Sequence, residues 1–71
     1  MQADYSKEGN WSVHRDGHRV SGWMTRPEAI RTITQYGDKL RKQGFEVIPG
    51  CYAVAWTGED GKAHMFEAYE S

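Results

Sequence analysis

Thr25-Arg26-Pro27-Glu28-Ala29-Ile30-Arg31-Thr32-Ile33-Thr34-Gln35-Tyr36-Gly37-Asp38-Lys39-Leu40-Arg41-Lys42-Gln43-Gly44-Phe45 is the stretch that decides the fold. Thr25 with Glu28 three residues on is a capping-box pattern. Pro27 falls in the first turn, where its missing N–H costs nothing. Gly44 stands where a left-handed residue ends a helix, and Phe45 can fold back on the last turn. Lys39, Arg41 and Lys42 suit the negative end of the helix dipole. Ala29, Ile30, Ile33, Tyr36, Gly37 and Leu40 share an arc roughly 120° wide, so one face is predicted to be buried. Asp38 is placed to pair with Lys42. Gly37 lies in the buried arc, at a cost of about 1 kcal/mol in helix propensity. Close approach of a ring or a sheet explains a glycine there.

Strand patterns flank this helix. Upstream, Trp11 to Met24 alternates around Asp16-Gly17, a strong two-residue hairpin signal. That turn sets Arg15 opposite His18, Val13 opposite Val20 and Trp11 over Gly22. Trp11, Val13, Val20, Gly22 and Met24 then face the helix. Ser12, His14, Arg19, Ser21 and Trp23 face away.

Downstream, Phe45 to Ile48 is a short strand. Pro49-Gly50 makes either a reversal or a kink at a sheet edge. Cys51–Trp56 and Ala63–Glu70 form a second hairpin around residues 57–62. Cys51, Ala53, Ala55, Phe66 and Ala68 can share one of its faces. Tyr52, Val54, Trp56, Met65, Glu67 and Tyr69 can share the other. Either face could lie under the helix, because one helix covers only one side of a sheet. The expected fold is α+β: an antiparallel sheet of four to five strands, packed on one face by a single helix, in ββαββ-like order. Residues 1–8 are expected to be a flexible arm and residues 9–71 one domain.

Composition narrows the function. A chain of 71 residues buries only about 60% of its unfolded surface. Three Trp, four Tyr and two Phe offset the small core. The net charge is −1, with seven Lys/Arg against three Asp/Glu between residues 11 and 42. Cys51 is alone, so no internal disulfide forms. No apolar run is long enough to span a membrane, and a cytoplasmic location is expected.

The groups that carry chemistry are sparse. His14, His18 and His64 do not converge with Cys51 on a metal site in the expected pairing. Cys51 stands at a strand start rather than at a helix N-terminus, so the pattern reads it as a structural thiol and not a nucleophile. Glu67 and Glu70 point to opposite strand faces, and no glycine-rich phosphate loop is present. No cofactor, metal or catalysis is expected.

Two binding readings remain. The first is a small non-enzymatic protein-binding module, of the accessory or inhibitor kind carried by phages and mobile elements. It would work through an outer aromatic sheet face of Arg19, Trp23, Tyr52, Trp56, Met65 and Tyr69, on a protein partner or a second copy. The second is a DNA- or RNA-binding domain using Arg15, Arg19, Arg26 and Arg31, interleaved with Trp11 and Trp23.

Gly9-Asn10-Trp11-Ser12-Val13, Asp16-Gly17-His18-Arg19 and Thr25-Arg26-Pro27-Glu28-Ala29 together span about a third of the chain. This run resembles the strand–turn–strand–helix segment of the AP2-like arm-binding domains of phage integrases. It is also similar to small uncharacterised bacterial and phage domains with the same Trp, hairpin and Thr-x-x-Glu-Ala order. The integrase domains read DNA through a small sheet, so the resemblance implies nucleic-acid binding.

Overall fold

The computed structural model describes residues 9–71; the arm expected over residues 1–8 lies outside the described residues. The elements are β1 (Trp11–Arg15), β2 (His18–Arg19), α1 (Arg26–Lys42), β3 (Val47–Ile48), β4 (Ala53–Thr57) and β5 (Ala63–Glu70). The five strands form one antiparallel sheet in the order β2-β1-β5-β4-β3. This is the expected α+β architecture, with α1 packed across one face.

The helix begins and ends where its sequence dictates. The Thr25 N–H donates to Glu28 Oε1 at 2.9 Å, and the Glu28 N–H returns to Thr25 Oγ1 at 3.4 Å. These two bonds satisfy donors that the first turn would otherwise leave unpaired. At the other end Gly44 has φ 96°. Its N–H donates to the Arg41 carbonyl and that of Phe45 to the Leu40 carbonyl, both at 3.0 Å. That pair of bonds is the Schellman motif. On the exposed face, Asp38 pairs with Arg41 at 3.4 Å rather than with Lys42.

Ala29, Ile33 and Gly37 form the buried stripe of α1. Ile33 joins Val13, Val54, Trp56 and Phe66 of the sheet in one buried cluster. An aromatic column runs through this core. Tyr36 of the helix stacks on Phe66 at 4.1 Å between ring centres, and Phe66 stacks on Trp56 at 5.0 Å. A Cβ at Gly37 would meet Val54 Cγ1 at 3.4 Å and Val47 Cγ1 at 3.8 Å, which is ordinary contact. Gly37→Ala therefore fits and is expected to raise stability by up to about 1 kcal/mol through helix propensity. Gly37→Leu has no room and is expected to cost about 1–3 kcal/mol. Chemical denaturation of the pair checks both signs.

The first hairpin turns as expected and then departs from the expected register. Asp16 (φ 51°) and Gly17 (φ 89°) both take positive φ, as a tight primed turn requires. His14 faces Arg19 and Arg15 faces His18. Beyond them the Val13 N–H donates to Ser21 Oγ at 2.8 Å instead of to a backbone carbonyl. The serine hydroxyl replaces a ladder partner and lets the strand bulge. Trp11 then pairs with Met24, not with Gly22. Trp11 stacks on Tyr52, with ring centres 5.5 Å apart. Val20, expected to face the helix, is 47% exposed.

The longest ladder joins distant parts of the chain. Trp11 to Arg15 run antiparallel to Glu70 to Phe66. Pro49-Gly50 lies in a reversal, because β3 and β4 pair antiparallel with Ile48 opposite Ala55.

Candidate functional site

Among the described residues, no helix covers the other side of the sheet. The alternation of side chains along each strand puts Ser12, His14, Arg19, Ala53, Ala55, Met65, Glu67 and Tyr69 on that side. Trp23 joins them from the segment after β2. The Arg19 guanidinium lies over the Trp23 ring, 4.7 Å from its centre. Trp23 is 47% exposed and Tyr69 44%. With Ser12 and His14 they line a shallow groove of about 320 Å³.

Polar groups in the groove hold one another. Ser12 is buried, and its hydroxyl is hydrogen-bonded to His14 Nε2 at 3.0 Å. The His14 ring meets Tyr69 edge-on, with centres 4.7 Å apart. Tyr69 donates its hydroxyl to Glu67 Oε1 at 2.7 Å. That bond, with some burial, pushes the Tyr69 pKa up. A guanidinium stacked on a ring keeps its in-plane N–H groups available, and Arg19 has no ion pair among the described residues.

The expected outer set is only partly brought together. Arg19, Trp23, Met65 and Tyr69 share the uncovered face. Tyr52 and Trp56 do not. Trp56 is 5% exposed beneath the helix, and Tyr52 stacks on Trp11 on that same side. The cause is the β4–β5 loop. Only Gly61 takes a positive φ there, 78°. The Gly61 N–H donates to the Gly58 carbonyl at 3.0 Å and the Gly58 N–H to the Lys62 carbonyl at 2.9 Å. A loop closed this way contributes an odd number of residues, so Thr57 faces Ala63 and Val54 faces Phe66. The face grouping of Phe66 and Ala68 with Ala53 and Ala55 is therefore corrected. One residue of register moves a whole strand face to the other side.

The arginines do not form one surface. Arg15 lies on the helix side over Trp56, 5.5 Å from its ring centre, while Arg19 lies on the uncovered side. Arg26 and Arg31 are exposed on α1.

A cluster that the sequence pattern does not announce joins the two hairpin loops. His64 Nδ1 lies 2.7 Å from Asp16 Oδ2, and its Nε2 lies 3.3 Å from Asp60 Oδ1. Asp16 Oδ1 also accepts the Met65 N–H at 2.9 Å. The hydrogen bonds to Asp16 and then Asp60 push the His64 pKa above its ordinary 6.5. His64 pulls the Asp16 carboxyl below its ordinary 3.8, helped by the Met65 amide. The Lys62 amide, and then His64, do the same for Asp60. Asp16 lies 44 positions from Asp60 and 48 from His64, so only the fold brings the three together.

Among the described residues, no group of three His, Cys, Asp or Glu is placed to hold a metal ion. Cys51 is exposed. No described helix is long and apolar enough to cross a membrane. Compared with known proteins, the chain matches no family model, no curated protein and no solved structure.

Proposed function

We propose that this chain is a non-enzymatic protein-binding module that docks its partner on the uncovered sheet face. The observation that carries this reading is the Arg19–Trp23 stack beside Tyr69, on the side of the sheet that no described helix covers. Trp, Tyr and Arg are the residues that most often dominate binding energy. Ala53 and Ala55 leave the centre of the face low, so a partner side chain can approach the backbone. Glu67 lies on the central strand of this face. Around a two-fold axis through the face it would oppose its own copy, which favours a different protein over a second copy. An accessory or inhibitor role in the cytoplasm suits a module of this size.

The test uses wild-type protein and Trp23→Ala as baits for proteins of the native host, followed by titration of whatever purified partner is captured. Trp23→Ala is expected to weaken that binding by more than about 1 kcal/mol. Its folding stability is expected to change by no more than about 0.5 kcal/mol, since the ring makes no core contact. Undiminished binding by the folded variant would remove this face from consideration. Titration of an oligonucleotide at two salt concentrations addresses nucleic-acid binding. An affinity that falls steeply with salt would favour that function instead.

A further inference from the structure

We propose that His64 is a proton-operated clasp: protonated, it ties the β4–β5 loop to the β1–β2 turn, and neutral, it lets that loop go. The geometry asks for two donors. Each ring nitrogen faces a carboxylate, Asp16 on one side and Asp60 on the other. An imidazolium has an N–H on both nitrogens, whereas the neutral ring has only one. On deprotonation one of the two contacts must become acceptor against acceptor.

The contact to Asp60 is the one that fails. The Asp16 bond is shorter, 2.7 Å against 3.3 Å, and Asp16 is fixed further by the Met65 N–H. The remaining proton therefore stays on Nδ1, and the Nε2 lone pair is left facing Asp60 Oδ1. Asp60 keeps only the Lys62 N–H, at 2.9 Å within its own loop. The loop backbone is also pressed against the ring. A Cβ at Gly58 would fall 2.8 Å from His64 Cδ2 and 2.9 Å from Nε2. A change in what the ring accepts is thus transmitted directly to Gly58.

The neighbouring charges fit this division. Arg15 of β1 lies over Trp56 and lines a groove with His64, Asp60 and Glu59. Its charge helps to keep Asp16 ionised. Asp16 and Asp60 favour the protonated ring, and Glu59 lines the same groove. Lys62 contributes its backbone N–H to Asp60. From α1 and the turn after it, Leu40, Gln43 and Phe45 face the groove, and all are uncharged. The groove measures about 480 Å³, and Gly58, Glu59 and Asp60 form one wall. Release of the loop changes the shape of that groove.

The sign of the linkage is fixed by the direction of each shift. His64 titrates higher in the folded chain than in the unfolded one, so its contribution is complete below pH 6.5 and is lost as pH rises through the raised value. Asp16 and Asp60 titrate lower, so theirs is complete above pH 3.8 and is lost as pH falls through the lowered values. The clasp is closed between those limits and opens at the alkaline end.

The experiment is a pH titration of the ¹⁵N-labelled chain by NMR, following the His64 ring nitrogens and the Gly58, Gly61 and Lys62 amides. All are expected to shift with one shared midpoint above pH 6.5. In His64→Gln the loop amides are expected to lose that step. In Asp60→Asn the side chain can donate to Nε2, so the ring should still titrate while the loop step falls by at least half. Circular dichroism at each pH checks that the variants are folded; if His64→Gln is not, Asp60→Asn carries the comparison. A His64 midpoint at or below 6.5 would overturn the clasp. So would loop amides that ignore the ring, or a full loop step in Asp60→Asn.

Discussion

Trp56→Ala is expected to leave the chain largely unfolded at 25 °C. The ring is 5% exposed and closes one end of the aromatic column, 5.0 Å from Phe66 and under the Arg15 guanidinium. Truncating a buried Trp to Ala costs about 3–5 kcal/mol, the lost transfer energy plus the cavity left behind. A core in a domain this small rarely supplies more than about 3–5 kcal/mol in total. The substitution therefore removes most of the margin. Near-ultraviolet circular dichroism should flatten, and the cooperative denaturation transition should disappear. Trp23→Ala is the matched control, with the same residue type removed from the uncovered face. A folded Trp56→Ala within about 1 kcal/mol of wild type would mean that the ring is not part of the core.

Gly9→Ala is expected to cost about as much, from the other end of the molecule. Gly9 has φ 79°, a backbone region that costs an ordinary residue about 1–2 kcal/mol. Its position is the greater constraint. A Cβ there would run into the Met24 carbonyl and lie 2.5 Å from the Thr25 nitrogen. Both are backbone atoms with no rotamer to yield. Met24 exchanges two hydrogen bonds with Trp11, at 3.0 and 2.9 Å, and Thr25 is the N-cap of α1. Moving them aside endangers two backbone bonds worth about 1 kcal/mol each and a cap worth about 1 kcal/mol. The expected total is about 3–5 kcal/mol by the same principles. Gly17→Ala isolates the conformational part, since φ there is 89° but nothing lies within 4 Å of the added carbon. Urea denaturation of both variants should show Gly9→Ala as clearly the worse. Equal losses would show that Met24 and Thr25 yield freely.

What could be read from the sequence was local. The cap, the buried arc and the terminal glycine of α1 are encoded within a few residues of where they act. The Asp16-Gly17 turn is equally local. What could not be read was parity. Asp60-Gly61 is the same dipeptide as Asp16-Gly17, yet only its glycine is left-handed. The loop closes over residues 58–62, one fewer than the 57–62 expected, so Phe66 moved from the side of Ala53 and Ala55 to the side of Val54. Trp56 stayed with Val54 and became core. Tyr52 and Trp56, two of the six residues of the expected outer face, were therefore misplaced by a single residue of loop. The Ser21 hydroxyl produced a similar error at Trp11, by standing in for a backbone acceptor. Arg19 was placed correctly because the first turn fixes β1 and β2, Trp23 because the register beyond shifts by two residues and so keeps its face, and Met65 with Tyr69 because they stand four residues apart on one strand. The contacts of His64 were out of reach, since they depend on β1 lying beside β5.

That adjacency has a consequence for how the chain is wired. The Ser71 N–H donates to the Asn10 carbonyl at 2.8 Å, and Trp11 sits opposite Glu70. The middle of the sheet thus consists of the two most distant strands of the described chain. Contacts of such long range require closure of nearly the whole chain before they contribute, which makes folding slow for a domain of this size. The same closeness makes the topology suited to circular permutation. A short linker between residues 71 and 10, with new ends cut in the Gly58–Lys62 loop, would turn the slowest pairing into a local hairpin. The sheet order would be preserved, and β4–β5 would become the pair that must find each other from opposite ends.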